Sequence, residues 1–257
     1  MSNLYFGREI RGAESMPSTQ DAARTLVERD GASAAGVSFM TPHQTAGRGR
    51  QGRTWYAPPG ANLTETLIGR PVALADVWQV SFVAAVAVAD AITAVVPDIA
   101  VHLRFPNDVL LHGKKVCGIL IETATGPDVP PDTAMPLIGI GVNVRGGTDA
   151  LPPEVAVRAT TIEAEAGDYV AVGVVGAHLS ITLTRRWNEW RAGDGFVSTL
   201  AAWHGYHDSD ARRTFLVDDV PVLCRVVAVS WEGYATLELP DQTRRTVPVA
   251  HVLFANG

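Results

Sequence analysis

Apolar and polar positions divide the chain into a run of helices and strands. Ser18-Thr19-Gln20-Asp21 stands ahead of Ala22-Ala23-Arg24-Thr25-Leu26-Val27, which reads as an N-cap feeding a helix. Gly36 to Met40 is a short buried strand that leads into a basic loop. From Asn62 to Arg70, Leu63, Glu65 and Leu67 alternate with Thr64, Thr66 and Ile68, the period of a strand. Asp76 to Val96 is Ala/Val-rich and closes at Pro97, which predicts a helix inside the core. Ile99 to Phe105 is a strand with Ile99, Val101 and Leu103 on one face, followed by a turn at Phe105-Pro106-Asn107-Asp108. Val109 to Leu111, a turn at His112-Gly113 and Lys115 to Thr123 read as a β-hairpin.

A Pro-rich loop is expected from Pro127 to Pro136, then a buried strand from Leu137 to Val144. Thr160 to Ala166 predicts a short helix, and Val170 to Trp190 a long one with Leu179, Leu183, Trp187 and Trp190 at helical spacing. Phe196 to Tyr206 predicts a last helix. The composition changes near residue 208. Arg213 to Phe254 is Val-rich, with turns at Asp218-Asp219, Glu232-Gly233 and Pro240-Asp241, so four or five short strands should form a small β-barrel. The expected division is residues 1–207 and 208–257.

Composition narrows the function. At 257 residues and 47% hydrophobic content, a sizeable core is within reach. The run from Val77 to Val96 is interrupted by Gln79, Ser81 and Asp90, which favours a core helix over a membrane span. A net charge of −6 argues against a general nucleic-acid binder. Cys117 and Cys224 have neither zinc spacing nor a disulfide framework and lie in apolar runs, which fits buried thiols in a reducing compartment. No secretory leader pattern is visible, so a cytoplasmic setting is expected.

Against this acidic background, Gly47-Arg48-Gly49-Arg50-Gln51-Gly52-Arg53-Thr54-Trp55 concentrates three arginines among glycines. Glycine lets the backbone approach a ligand, and arginine supplies forked donors for phosphate or carboxylate. Such a loop repels itself and should be mobile when empty. Of the 21 Lys+Arg residues only Lys114 and Lys115 are lysine, which points to a task that suits a compact ammonium. Gly139 and Gly141 do not complete a dinucleotide fingerprint, because the third glycine and the following helix are missing. No nucleophile motif and no metal-ligand spacing is present. Positive charge aimed at anions, beside an acid–amide pair at Asn107-Asp108, suits phosphoryl or adenylyl transfer.

These stretches, with Asn62-Leu63, Arg104 to Asp108, Lys115 to Glu122 and Gly139 to Asn143, closely resemble the biotin–protein ligases (holo-carboxylase synthetases) in order and interval. Ser18-Thr19-Gln20 resembles the Ser-Thr-Asn that opens their biotin site. The resemblance covers residues 8 to 257. It implies an α/β (α+β) catalytic domain on a mixed sheet, similar to class II aminoacyl-tRNA synthetase cores, followed by a small SH3-like barrel. It also implies two steps: biotin and Mg-ATP give biotinyl-5′-AMP and pyrophosphate, then a lysine of a biotin carboxyl carrier protein domain takes the biotin.

Carried over by position, Ser18, Thr19, Gln20 and Gln44 would bond the biotin head. Arg48, Gly49 and Arg50 would fold over biotin and the phosphate, Arg53 would meet the ATP phosphates, and Trp55 would pack under the ordered loop. Lys115 would bind carboxylate and phosphate oxygens, with Gly118 leaving room beside the ligand. Asn107 and Asp108 would serve the phosphate and Mg2+ region and the incoming amine, with Mg2+ carried mainly by the ATP phosphates, and Asn143 would serve the nucleotide. The catalytic set so implied is Lys115, Arg50 and Asp108.

Three positions depart from the pattern. Arg104-Phe105 stands for the usual Lys-Trp, Gln20 for Asn, and His43 for a common aromatic. Members that repress biotin synthesis carry a winged helix ahead of the Ser-Thr motif; with 17 residues before Ser18, no DNA partner is expected, and no membrane partner. A homodimer is compatible with the resemblance. The competing readings are a lipoate or octanoate–protein ligase and a non-catalytic biotin sensor.

Overall fold

The computed structural model describes residues 5–192, 195–208 and 212–254. In chain order the elements are β1 (Glu9–Gly12), α1 (Thr19–Asp30), β2 (Val37–Met40), β3 (Asn62–Ile68), β4 (Val72–Ala73), α2 (Gln79–Val95), β5 (Val101–Arg104), β6 (Asp108–Leu111), β7 (Lys114–Ala124) and β8 (Thr133–Asn143). There follow α3 (Pro153–Ala156), α4 (Ile162–Ala166), α5 (Val172–Arg191), α6 (Phe196–Tyr206), β9 (Arg213–Val217), β10 (Val220–Val229), β11 (Tyr234–Glu238), β12 (Arg244–Pro248) and β13 (Val252–Phe254).

Eight strands form one mixed sheet in the order β1-β2-β3-β8-β7-β6-β5, with β4 pairing β8. Only β1 and β2 run parallel; the other pairs are antiparallel. Its two faces differ. On one, Leu63, Leu67, Ile138, Ile140 and Val142 pack against α2 and α5. Helix α2 is buried at Val80 and from Phe82 to Ala89, as expected of a helix inside the core, and the Thr182 hydroxyl of α5 donates to Ala87 O at 2.8 Å. The opposite face carries α1 over its β2–β3–β8 part, through Ala23, Leu26, Val27, Ile68 and Leu137. Trp187 and Trp190 are 1% and 6% exposed, so the α5 stripe is core. Cys117 and Cys224 are buried free thiols. Among the described residues no helix is long and apolar enough to cross a membrane.

The C-terminal strands form a separate five-stranded antiparallel sheet, β12-β11-β10-β9-β13. It docks through Phe215, whose ring meets Phe105 edge-on at 6.1 Å, and through His207. The His207 ring stacks on Trp203 at 4.1 Å, and its nitrogens lie 3.1 Å from Leu103 O and 2.8 Å from Val226 O. One side chain thereby fastens an edge strand of the large sheet to the small one.

Three expectations need correction. The core helix begins at Gln79, three residues after Asp76, because Leu74–Asp76 forms a separate 3-10 turn. The strand read as starting at Leu137 starts at Thr133, inside the expected loop. Pro136 is tolerated there because it falls opposite the gap between β3 and β4, where only its carbonyl is needed, accepting from Gly69 N–H at 2.8 Å. Strand β3 is buried along its whole length, Glu65 included. Ser18 occupies the N-cap position of α1, but its side chain makes no capping bond.

Candidate active site

A cavity of about 280 Å3 crosses the sheet face not covered by α2 and α5. It runs from the N-terminus of α1 over β3 and β8 towards the β6–β5 edge. Glycines make the floor. A Cβ on Gly141 would sit 2.3 Å from the Trp55 indole, and one on Gly118 would sit 3.0 Å from the same ring and 3.3 Å from Lys115 Nζ. Gly118 therefore leaves room for Trp55 and Lys115. A Cβ on Gly139 would lie 2.7 Å from Gln20 Nε2.

At the α1 end, Ser18, Thr19 and Gln20 are all buried. Gln44 Oε1 accepts from the Thr19 N–H at 2.8 Å and from its hydroxyl at 3.1 Å, and Thr66 Oγ1 donates to Thr19 Oγ1 at 2.8 Å. Gln20 Nε2 donates to Leu120 O at 3.0 Å, which anchors the amide on the sheet and leaves its buried Oε1 without a partner among the described residues. An unpaired buried acceptor is costly and suits a ligand N–H.

The arginine loop covers the middle. Trp55 N donates to Gly47 O and Gly49 N to Arg53 O, so the loop folds back on itself. Gly47 is required by that return, since a Cβ there would meet Trp55 O at 2.6 Å. Arg48 pairs with Asp21 of α1 at 2.7 Å and with Glu122 of β7 at 3.5 Å. Arg50 Nη1 donates to Asn107 Oδ1 at 3.0 Å, and Arg53 Nη2 to Gln51 Oε1 at 2.8 Å. Burial lowers the Arg50 pKa against the pull of Asp108. Trp55 Nε1 is buried without a partner among the described residues.

The β6–β5 end holds most of the charge. Lys115 Nζ lies 2.6 Å from Asp108 Oδ1, and Arg104 Nη2 lies 2.5 Å from Asp108 Oδ2. Burial alone would push the Asp108 carboxyl up, but the charges and hydrogen bonds of Lys115 and Arg104 outweigh it and hold the carboxyl below its ordinary range. Asn107 donates from Nδ2 to Ile119 O at 2.6 Å. The Lys115 backbone is clamped on both sides, its N–H donating to Arg158 O and its carbonyl accepting from Thr160 N. At the floor, Asn143 Oδ1 accepts from Asn62 Nδ2 at 3.1 Å, and Leu151, Val155 and Ala159 form an apolar wall.

The structure thus gathers every residue of the expected site into one cavity or its immediate wall. It adds Arg158, Arg213 and the apolar wall, which the sequence reading missed. Paired glycines within a strand could have signalled a close approach at Gly139 and Gly141. Nothing local marks Arg213, which arrives from the other sheet. Lys114, the neighbour of Lys115, is exposed.

The chain matches the biotin/lipoate A/B protein ligase family over residues 12–143. It belongs to that family. It is 31% identical over 201 residues to the bifunctional ligase/repressor BirA of Bacillus spizizenii, covering 78% of this chain and 60% of that protein. It is 47% identical over 115 residues to the biotin–[acetyl-CoA-carboxylase] ligase of Paracoccus denitrificans, covering 43% and 45%. The chain therefore aligns with 60% or less of the length of these relatives. The biotin protein ligase from Aquifex aeolicus, solved in complex with biotin and ATP, shares the fold with a TM-score of 0.76 at 21% identity, over 95% of this chain and 97% of that one. As a family member, the chain has the mixed-sheet core expected of it, with the five-stranded C-terminal sheet beside it.

Proposed function

We propose that this chain is an ATP-dependent biotin–protein ligase that makes biotinyl-5′-AMP and passes the biotin to a lysine of a biotin carboxyl carrier protein domain. The observation that carries the reading is one cavity with a polar, partly unsatisfied recess at Thr19, Gln20 and Gln44 and a cation cluster at its other end. The named activities of the relatives, and the biotin and ATP bound in the Aquifex structure, agree with it.

In this reading Ser18, Thr19, Gln20 and Gln44 hold the biotin head, and Arg48 and Gly49 close over it. Lys115 and Arg50 bring the carboxylate to the α-phosphate. Two unit charges about 4 Å apart repel by about 4 kcal/mol at an effective dielectric near 20, so cations on both sides are needed for approach. The carboxylate oxygen bonds to the α-phosphorus, the bond to the β-phosphate oxygen breaks, and pyrophosphate leaves with the electron pair. Arg53 and Asn107 serve the phosphates. Asn143, with Leu151, Val155 and Ala159, lines the nucleotide end. Trp55 shields the floor, and Asp108 orients Lys115 and meets the incoming amine of the carrier lysine. The free amine nitrogen attacks the acyl carbon, the acyl–oxygen bond to the phosphate breaks with its electron pair leaving on AMP, and the nitrogen gives up a proton as the amide forms.

The chemistry calls for Mg2+ with ATP. Among the described residues no cluster of three His, Cys, Asp or Glu side chains is placed to hold a metal, and both Asp108 oxygens already face cations. The residues therefore do not fit a protein-held metal. A cytoplasmic setting goes with this reading, because the carrier lysine must be reached there.

The test is incubation with biotin, Mg-ATP and a biotin carboxyl carrier domain, read by intact mass. The expected result is one added biotin on the carrier and ATP–pyrophosphate exchange that depends on biotin. Exchange supported by lipoate or octanoate instead would shift the reading to the lipoate side of the family. Tight biotin binding with no exchange would leave a sensor.

A further inference from the structure

Strand β9 opens the C-terminal sheet with Arg213, and alternation puts Arg213 and Phe215 on one face. Phe215 is 3% exposed and packs on Phe105, directly before the turn that carries Asn107 and Asp108. That contact delivers Arg213, two residues upstream, into the wall of the cavity near Arg104 and Asp108. Asp108 gives one oxygen to Lys115 and the other to Arg104. Arg213 Nε is buried and finds no hydrogen-bond partner among the described residues. A buried guanidinium donor beside other cations is costly unless an anion completes it. Burial lowers the Arg213 pKa and the charge of Arg104 adds to it, while Asp208 and Asp108 pull the other way.

The order of strands says which anion. The recess at Thr19 and Gln20 lies over β3 and β8, whereas Arg213 approaches at the β6–β5 edge, beyond Lys115. The ligand end nearest Arg213 is therefore the one farthest from the acid. We propose that Arg213 binds the β- and γ-phosphates of ATP, so that the C-terminal sheet supplies the cation that receives the pyrophosphate leaving group. This rests on the ligase reading above. When the α-phosphorus bonds to the carboxylate oxygen, the bond to the β-phosphate oxygen breaks and its electron pair stays on pyrophosphate, beside Arg213. Transfer of biotin from the adenylate to a lysine involves no pyrophosphate, so Arg213 has no partner in that step.

The experiment separates the two half-reactions in Arg213→Gln and Arg213→Lys. Loss of one charge-assisted contact should raise the KM for ATP, and for pyrophosphate in the exchange reaction, by roughly tenfold to a hundredfold in Arg213→Gln. Arg213→Lys should recover part of that loss. Transfer to the carrier from supplied biotinyl-5′-AMP should stay within about twofold, because that step depends on groups other than Arg213. Calorimetry with inorganic pyrophosphate and the full chain should show the same weakening. Phe215→Ala, which undocks the sheet, should slow both half-reactions and so marks what a structural defect looks like. Unchanged KM values for ATP and pyrophosphate, or equal losses in both half-reactions of Arg213→Gln, overturn the proposal. A wild-type chain that forms no biotinyl-5′-AMP overturns the ligase reading and this proposal with it, and that failure is visible before any variant is made.

Discussion

Lys115 Nζ lies 2.6 Å from Asp108 Oδ1 across the β6–β7 hairpin, while Lys114, one residue away, faces solvent. The separation follows from strand alternation and from the backbone clamp that Arg158 and Thr160 place on Lys115. The Lys115 stem runs past Gly118, and a single added Cβ there would already come within 3.3 Å of Cε and Nζ. A planar guanidinium is broader than an ammonium and does not fit this channel. Lys115→Arg should therefore lose most adenylation despite its kept charge, on the order of a hundredfold for a contact worth about 2.7–4 kcal/mol. Lys114→Arg should be nearly silent. Biotin-dependent pyrophosphate exchange measured on both variants decides, and equal losses would remove Lys115 from its role.

Much of this arrangement is legible in the sequence, and the parts that are not have physical causes. Helix α2 could be read because an apolar run ending at Pro97 has few alternatives in a chain of this composition. The hairpin that carries Lys115 could be read from its turn. Strand β1 could not, since Glu9–Gly12 is a short, largely exposed edge strand with no apolar period. The first residues of β8 were hidden by prolines whose tolerance depends on a gap in the neighbouring strands. At the site, the cations of the motifs were visible one by one, but their convergence on Asp108, and the entry of Arg213 from another sheet, are facts of tertiary packing.

Gly141 gives a steric prediction. Gly141→Ala would put a methyl 2.3 Å from the Trp55 ring, so the indole must leave the floor, and the loop that returns through Trp55 N and Gly47 O must move with it. The variant should stay folded by far-UV circular dichroism, because Gly141 lies in a regular strand, yet lose biotin affinity by at least about tenfold, as expected when a bulky ring is displaced into a binding site. Trp55→Ala combined with Gly141→Ala should restore part of the binding relative to Gly141→Ala alone. If the double variant is as weak as the sum of the singles, the clash is not what matters.

Glu65 gives a pH prediction on β3. It alternates onto the helix-side face with Leu63 and Leu67, is 2% exposed, and neither carboxylate oxygen reaches a hydrogen-bond partner. Burial pushes its carboxyl up to about 7. A carboxyl whose folded pKa lies above its unfolded value binds more protons in the folded state. Stability therefore falls as pH rises from the unfolded value, near 4.5, to about 7, and the cost stays constant above that. Glu65→Gln removes this titration, so its melting temperature relative to wild type should climb between pH 5 and 8 by an amount on the order of 3 kcal/mol in stability. A difference that does not change with pH over that range would mean Glu65 is not buried as an acid.

Arg50 ties the loop to the scarcity of lysine. Its guanidinium reaches Asn107 Oδ1 at 3.0 Å and is half-buried, so the loop is joined through Arg50 to the turn beside Asp108. If Arg50 helps hold the adenylate phosphate, Arg50→Gly opens the lid at that point and biotinyl-5′-AMP should dissociate faster, with some synthesis retained through Lys115. A released adenylate is an activated acyl group that reacts with any accessible amine. Many proteins would label their own surface lysines, but this chain has only Lys114 and Lys115, and Lys115 sits in the cavity. The variant should thus biotinylate bystander proteins while its own mass gains about one or two biotins at most, given that only lysine and the chain-terminal amine offer such a nucleophile. The measurement is intact mass of both proteins after mixing Arg50→Gly with biotin, Mg-ATP and a lysine-rich bystander. An unlabelled bystander alongside normal carrier biotinylation would show that something other than Arg50 retains the intermediate.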